Sequence, residues 1–167
     1  MNNYIRLANQ EIRNKKQSFL LDYIKIADLH ADRLQVAMLE ITKLFPINTK
    51  TFSLLKKDEI AFLDMTTTRF GKLQDIIGAK IFPLILDILG EDNAPSFRDK
   101  LNRLEKLNII HNANWWMDLR EIRNQITHDY LDDYDILSKN FNMLIPIAKQ
   151  LLVFWDDLKK YLVQQKF

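Results

Sequence analysis

The stretch Phe19-Leu20-Leu21-Asp22-Tyr23-Ile24-Lys25-Ile26-Ala27-Asp28-Leu29-His30-Ala31-Asp32-Arg33-Leu34-Gln35-Val36-Ala37-Met38-Leu39-Glu40-Ile41-Thr42-Lys43-Leu44 decides the fold. Within it Phe19, Leu20, Tyr23, Ile24, Ala27, Leu34, Ala37, Met38, Ile41 and Leu44 recur mostly at three- and four-residue intervals, the spacing of one face of an α-helix. The spacing predicts one long amphipathic helix that ends before Pro46, whose ring disfavours helical geometry at the residue ahead of it. Residues 46–57 are polar and rich in Thr and Ser, and read as a connection.

Beyond this first helix the same period returns. A second helical stretch opens near Asp58, with Asp58 and Glu59 at the positive end of the helix dipole, and carries Ile60, Phe62, Leu63, Phe70, Leu73, Ile76 and Ile77. Gly78 and Pro83 bend or divide it, and Gly90 is its expected C-terminal stop. After a loop at Glu91-Asp92-Asn93-Ala94-Pro95, Ser96 caps a short helix with the stripe Phe97, Leu101, Leu104 and Leu107. Asn112 or Asn114 caps the next, which holds Trp115, Trp116, Leu119, Ile122 and Ile126. An acidic turn at Leu131-Asp132-Asp133 precedes a last helix whose inner face includes Ile136, Phe141, Leu144, Ile147, Leu151, Phe154, Leu158 and Leu162. The expectation is an all-α protein: an antiparallel up-and-down bundle of about five helices, one domain over residues 1–167.

Composition agrees. Three Gly and four Pro in 167 residues leave few tight turns, which argues against an all-β chain. The absence of Cys excludes disulfides, thiolate zinc sites and a Cys nucleophile within the chain. No basic segment followed by an apolar run opens the sequence, and runs such as Ile81–Leu86 fall far short of the roughly 20 residues of a spanning helix. A soluble cytoplasmic protein is therefore the default, with no membrane partner. The formal charge of +2 is too small for general nucleic-acid affinity. Residues 1–57 nevertheless hold ten Lys/Arg against five Asp/Glu. That asymmetry suits a polyanion but equally an ordinary solvated face.

Familiar catalytic patterns are missing: there is no glycine-rich phosphate loop, no G-x-S-x-G elbow and no H-E-x-x-H helix. His30, His111 and His128 are too scattered to nominate a metal site, and no cofactor is expected. Asp28-Leu29-His30-Ala31-Asp32 reads as a solvated helical turn in preference to a carboxylate–imidazole cluster. His111 reads as a loop residue or cap partner, and the Trp115–Trp116 pair as core and rim in preference to a base-stacking surface.

One segment stands apart: Asp118-Leu119-Arg120-Glu121-Ile122-Arg123-Asn124-Gln125-Ile126-Thr127-His128-Asp129-Tyr130. It gathers Arg, Asn, His and Tyr at the end of a helix, beside a turn. If the helix continues, Asn124 and His128 share a face, while Arg123 and His128 lie about 140° apart and flank a groove. A partner chain laid alongside brings two such sets together. The chemistry on offer is phosphoryl transfer without a metal. Imidazole titrates near neutrality and can move a ribose 2′-hydroxyl proton. A guanidinium holds a phosphate and its developing charge, and Asn124 can orient either group. The plain alternative is that Arg123 pairs with a surface carboxylate and His128 merely ends a helix.

Arg123-Asn124-Gln125-Ile126-Thr127-His128-Asp129-Tyr130 matches R-N-x3-H-x-Y, and so resembles the R-x4-H-x-Y signature of HEPN-domain proteins of the HepT toxin type. The approach Trp116-Met117-Asp118-Leu119-Arg120-Glu121-Ile122 is similar, as are Arg69-Phe70-Gly71-Lys72-Leu73-Gln74-Asp75 and Leu101-Asn102-Arg103-Leu104-Glu105-Lys106-Leu107. The likeness covers roughly residues 58–135. It implies a HEPN-like homodimer with the two motifs facing across the interface, acting as a metal-independent endoribonuclease toxin. On that reading His128 is general acid or base, Arg123 stabilises the transferring phosphate and Asn124 supports it. Tyr130 is the position that a cognate minimal nucleotidyltransferase antitoxin adenylylates, or else an aromatic that packs the turn. Arg69, Lys72, Asp75 and Arg120 are candidate RNA or partner contacts, or ordinary surface charges. The alternative within the family is a non-catalytic subunit that binds a nucleotide or a nucleotidyltransferase. Gly71 departs from good helix composition and suggests a close helix contact.

Overall fold

A computed structural model describes residues 2–91, 93–127, 133–165 and 167. It is all-helical: α1 (Asn2–Ile41), a 3-10 turn (Thr42–Leu44), α2 (Thr49–Ser53), α3 (Lys57–Ile76), a π-helical turn (Ile77–Ile81), α4 (Phe82–Ile88), α5 (Phe97–Lys106), α6 (Ala113–Thr127) and α7 (Tyr134–Gln164). The long helices α1, α3, α6 and α7 pack on one another, and α4 and α5 extend the bundle by contacts with α1 and α6. No helix among the described residues is long and apolar enough to cross a membrane.

The boundaries follow local chemistry. Phe45, ahead of Pro46, is extended at φ −87° and ψ 144°, so α1 tightens into the 3-10 turn and stops. Gly90 takes φ +75°, and the amide of Glu91 donates back to the Leu86 carbonyl at 2.7 Å, closing α4. The Ser96 hydroxyl accepts from the Asp99 amide at 3.1 Å. Asn112, and not Asn114, caps α6: its Oδ1 accepts from the amides of Asn114 (2.7 Å) and Trp115 (3.3 Å). Asp133 does the same for α7 through the amides of Asp135 and Ile136.

Two elements differ from expectation. Residues 46–57 contain the short helix α2, capped by Asn48, whose Oδ1 accepts from the Thr51 amide at 2.9 Å. Five residues are too few to hold a helix by themselves, and the hold comes from α7: the Phe52 ring lies 5.3 Å from Tyr134 and 6.0 Å from Phe141. Helix α1 also begins well ahead of its apolar stripe. Among its described side chains the first buried one is Leu20, and Phe19, placed on the inner stripe by spacing, is half exposed. Leu7 and Ile12, ahead of it, are exposed, so these two apolar positions belong to no inward stripe.

Gly78 and Pro83 do interrupt α3, through a widened turn. Proline supplies no N–H and its ring crowds the carbonyl four residues earlier, which favours an i→i−5 bond. The amide of Phe82 accordingly donates to the carbonyl of Ile77. Gly78 lies against the fully buried indole of Trp116, where an added Cβ would fall 3.2 Å from Nε1 and 3.3 Å from Cζ2. That indole is wedged by Phe82 at 4.5 Å and Phe154 at 5.7 Å and has no room to retreat. Gly78→Ala is expected to destabilise by about 1–3 kcal/mol, the usual cost of an overpacked core, read as a lowered urea midpoint with an unchanged slope.

Candidate functional site

The site expected from the sequence begins on the last two turns of α6, where Leu119 and Trp116 bury inward and turn Arg120, Arg123 and Asn124 away from the core. Arg123 reaches across to α3. Its Nη2 donates to Asp75 Oδ2, forming an ion pair, and its Nη1 donates to Asn124 Oδ1 at 3.1 Å. The side chain passes over Gly71, whose missing Cβ would touch Arg123 Cγ at 3.7 Å and Nε at 3.8 Å. Gly71 thus sits at a close helix contact. A methyl group there would make ordinary contact, whereas a longer side chain would displace the guanidinium. The pair is about one-third to one-half exposed, so it fixes geometry more than it adds stability.

Arg120, one turn earlier, lies over the Phe97 ring at 4.7 Å. With Gln74, Asp75, Gly78, Ala79 and Phe97 it lines a cleft of about 260 Å³ between α3, α5 and α6. Arg123 adjoins that cleft through its ion pair with the lining residue Asp75, and Asn124 joins it through Arg123. His128 and Tyr130, the other two members of the motif, lie outside the described residues.

Arg69, Lys72 and Asp75 do not act as one group. Six residues on a helix turn through about 120° net, so Asp75 meets α6 while Arg69 meets α1. Arg69 Nη1 lies 3.3 Å from His30 Nδ1. This corrects the reading of His30 as part of a solvated turn. It is half-buried in the α1–α3 seam, and Asp28 turns instead to α7, accepting from Trp155 Nε1 and Lys159 Nζ, both at 2.8 Å. Nothing in the local sequence signals the His30 contact, because its partners arrive from α3. The tryptophans divide as expected: Trp116 is core, and Trp115 is a half-buried rim residue whose Nε1 donates to Gln150 at 3.2 Å. His111 is exposed and leaves the capping of α6 to Asn112.

Burial, then the charges of Arg69, Lys72 and Arg33, hold the His30 imidazole below its ordinary value of 6.5. The unfolded chain therefore takes up a proton that the folded chain resists. The stability tied to neutral His30 is complete above pH 6.5 and is lost as the pH falls below it towards the depressed folded value. His30→Gln is expected to flatten the stability profile below about pH 6.5, measured by urea melts at each pH. An unchanged profile would place the proton uptake elsewhere.

A larger cleft, about 570 Å³, lies between the 108–112 connection and α7, lined in part by Trp115, Phe154 and Tyr161. Its walls are mainly apolar and it contains none of the motif residues. Set against models of protein families, characterised proteins and solved structures, the chain finds no match.

Proposed function

We propose that this chain is a metal-independent endoribonuclease of the HEPN toxin type, working as a homodimer and silenced by a minimal nucleotidyltransferase antitoxin. The observation that carries the reading is the setting of Arg123. A guanidinium at the first position of the motif is aimed by Asp75 and Asn124 and lies in a groove left by Gly71. Pairing with a half-exposed carboxylate is also what the plain alternative expects of Arg123, and it is the second contact, to Asn124 of the motif, that favours a phosphate-binding role.

The reaction needs no cofactor. The ribose 2′-hydroxyl attacks the adjacent phosphorus, and His128 takes its proton as general base or returns one to the departing 5′-oxygen as general acid. The P–O5′ bond breaks as the P–O2′ bond forms, leaving a 2′,3′-cyclic phosphate and a free 5′-hydroxyl. Arg123 meets the negative charge that gathers on the phosphoryl oxygens, and Asn124 steadies the guanidinium or the imidazole. Tyr130 is the modification site in this reading, two residues beyond the base in sequence, and an added nucleotide brings negative charge that repels the substrate phosphate.

The second reading, a non-catalytic subunit that binds a nucleotide or a nucleotidyltransferase, draws on the same ion pair: Asp75 already neutralises Arg123, and a substrate phosphate has to compete with it. The test is RNA cleavage by the purified protein in EDTA, after mass spectrometry shows Tyr130 unmodified. Oligonucleotides ending in 2′,3′-cyclic phosphate are the expected products. No cleavage of several RNAs by the unmodified dimer would move the assignment to the binding subunit.

A further inference from the structure

Some cations of this chain are paired with carboxylates, and others, such as Lys106 and Lys139, have none among the described residues. Lys16, Lys25, Lys43, Arg103, Arg123, Lys159 and Lys160 each meet a carboxylate. Arg33, Arg69 and Lys72 have no such partner among the described residues, although all three lie within electrostatic reach of one imidazole, His30. The Nε–H of Arg69 is in addition buried without an acceptor among the described residues. Collecting like charges at a helix seam costs stability, and so does an unanswered guanidinium N–H.

The hydrogen-bonding chemistry of the cluster has one sign. Guanidinium can only donate, so the 3.3 Å contact makes His30 Nδ1 the acceptor. In a neutral ring the proton then sits on Nε2, which becomes a further donor. With Nδ1 taken up by Arg69, the imidazole Nε2–H, the two guanidinium groups and the ammonium offer a ligand N–H groups alone. A ligand that satisfies such a set is an anion with several oxygens.

Position indicates which anion. Around α3, at about 100° per residue, Lys72 lies between Arg69 and Asp75, roughly 60° from each. The donors therefore fan from Arg33 and His30 on α1, across Arg69 and the exposed Lys72, towards the edge where Asp75 holds Arg123. A single carboxylate or free phosphate would fill one point of that arc. A chain of phosphates follows it.

We propose that His30, Arg33, Arg69 and Lys72 form a phosphodiester-binding tract along the α1–α3 seam, which holds the backbone of an RNA strand as it approaches Arg123. The identity of the polymer as RNA rests on the ribonuclease reading; the tract itself rests on the cluster. It is a binding element and takes no part in bond breaking.

The probe is a 2′-O-methyl oligoribonucleotide, which has no 2′-hydroxyl to attack and so reports binding apart from cleavage. Arg33 and Lys72 are exposed, and their reversal leaves the core untouched. The double variant Arg33→Glu/Lys72→Glu is expected to bind the probe at least tenfold more weakly by fluorescence anisotropy. Its salt slope should fall by about 1.4, two phosphate contacts on a single strand. Lys106→Glu/Lys139→Glu, an equal reversal at exposed positions of α5 and α7, is expected to change affinity less than twofold. Absence of probe binding by the parent protein overturns the tract, as does equal weakening by Lys106→Glu/Lys139→Glu. Inorganic phosphate that shifts the His30 imidazole resonances, with probe affinity indifferent to the double variant, overturns it in favour of a single-anion site. Cleavage of unmodified RNA is followed in parallel. Cluster-dependent binding without cleavage sinks the nuclease reading and leaves the tract standing; cleavage with binding indifferent to the cluster does the reverse.

Discussion

Arg123→Ala is expected to lower RNA cleavage by about two to three orders of magnitude, the scale of losing one preorganised donor to a charge that develops in the transition state. The fold should scarcely notice. The Arg123–Asp75 ion pair is a half-exposed contact, and pairs of that kind contribute about 0–1 kcal/mol. His128→Ala is expected to cost about 10²- to 10⁴-fold, the range of a positioned general acid or base. Arg123→Lys should rescue little, because an ammonium cannot keep the two contacts to Asp75 and Asn124 that aim the guanidinium. Initial rates in EDTA, read beside circular-dichroism melts of each variant, decide the matter. Full cleavage by a folded Arg123→Ala protein would remove Arg123 from the mechanism and with it the main support for the assignment.

The second large effect concerns stability. Trp116→Ala is expected to destabilise by about 3–5 kcal/mol, as for other large aromatic truncations in a core. For a chain of this size that amounts to a Tm lowered by roughly 10 °C or more. The indole is fully buried and packed by Phe82, Phe154 and Trp115, with ring centroids at 4.5, 5.7 and 5.9 Å. Its N–H has no partner among the described residues, so Trp116→Phe should lose packing and no hydrogen bond. Trp155 offers the contrast: its N–H donates to Asp28 at 2.8 Å, and Trp155→Phe forfeits that bond as well as ring volume. Thermal melts in which Trp116→Ala matched the parent would show that the core repacks freely around Gly78.

These expectations draw unequally on the sequence. Pro46, Gly90, Ser96 and Asp133 announce helix ends because their effect is exerted within a turn of where they stand. The apolar period of α1 and α7 is legible for the same reason. Helix α2 is not, since its five residues depend on Phe52 finding Tyr134 and Phe141 more than 80 positions away. Among the candidate site residues, Arg123 and Asn124 are neighbours in sequence and remain partners in space. Asp75 joins them from 48 positions away, a contact to which the spacing of charges gives no clue. His30 shows the limit most clearly. Its own turn supplies Asp28 and Asp32, yet its neighbours prove to be Arg69 and Lys72 from another helix.

The π turn at Ile77–Ile81 adds one residue to α3 and α4 without adding a step along the axis. Everything downstream is thereby rotated by about one residue's worth of helix, near 100°. Upstream the inward positions are Leu63, Phe70, Leu73 and Ile77; downstream they are Ile81, Phe82, Ile85 and Leu86. Counted along an uninterrupted helix, the second set would point a quarter-turn away from the first. The extra residue restores one continuous inner face to a segment whose code is out of phase with itself. The chain length between Ile77 and Phe82 is therefore not neutral in evolution. An in-frame loss of one codon there would leave a regular helix with Phe82 and Leu86 still turned inward, whereas one further inserted codon would rotate them by about 100° towards solvent.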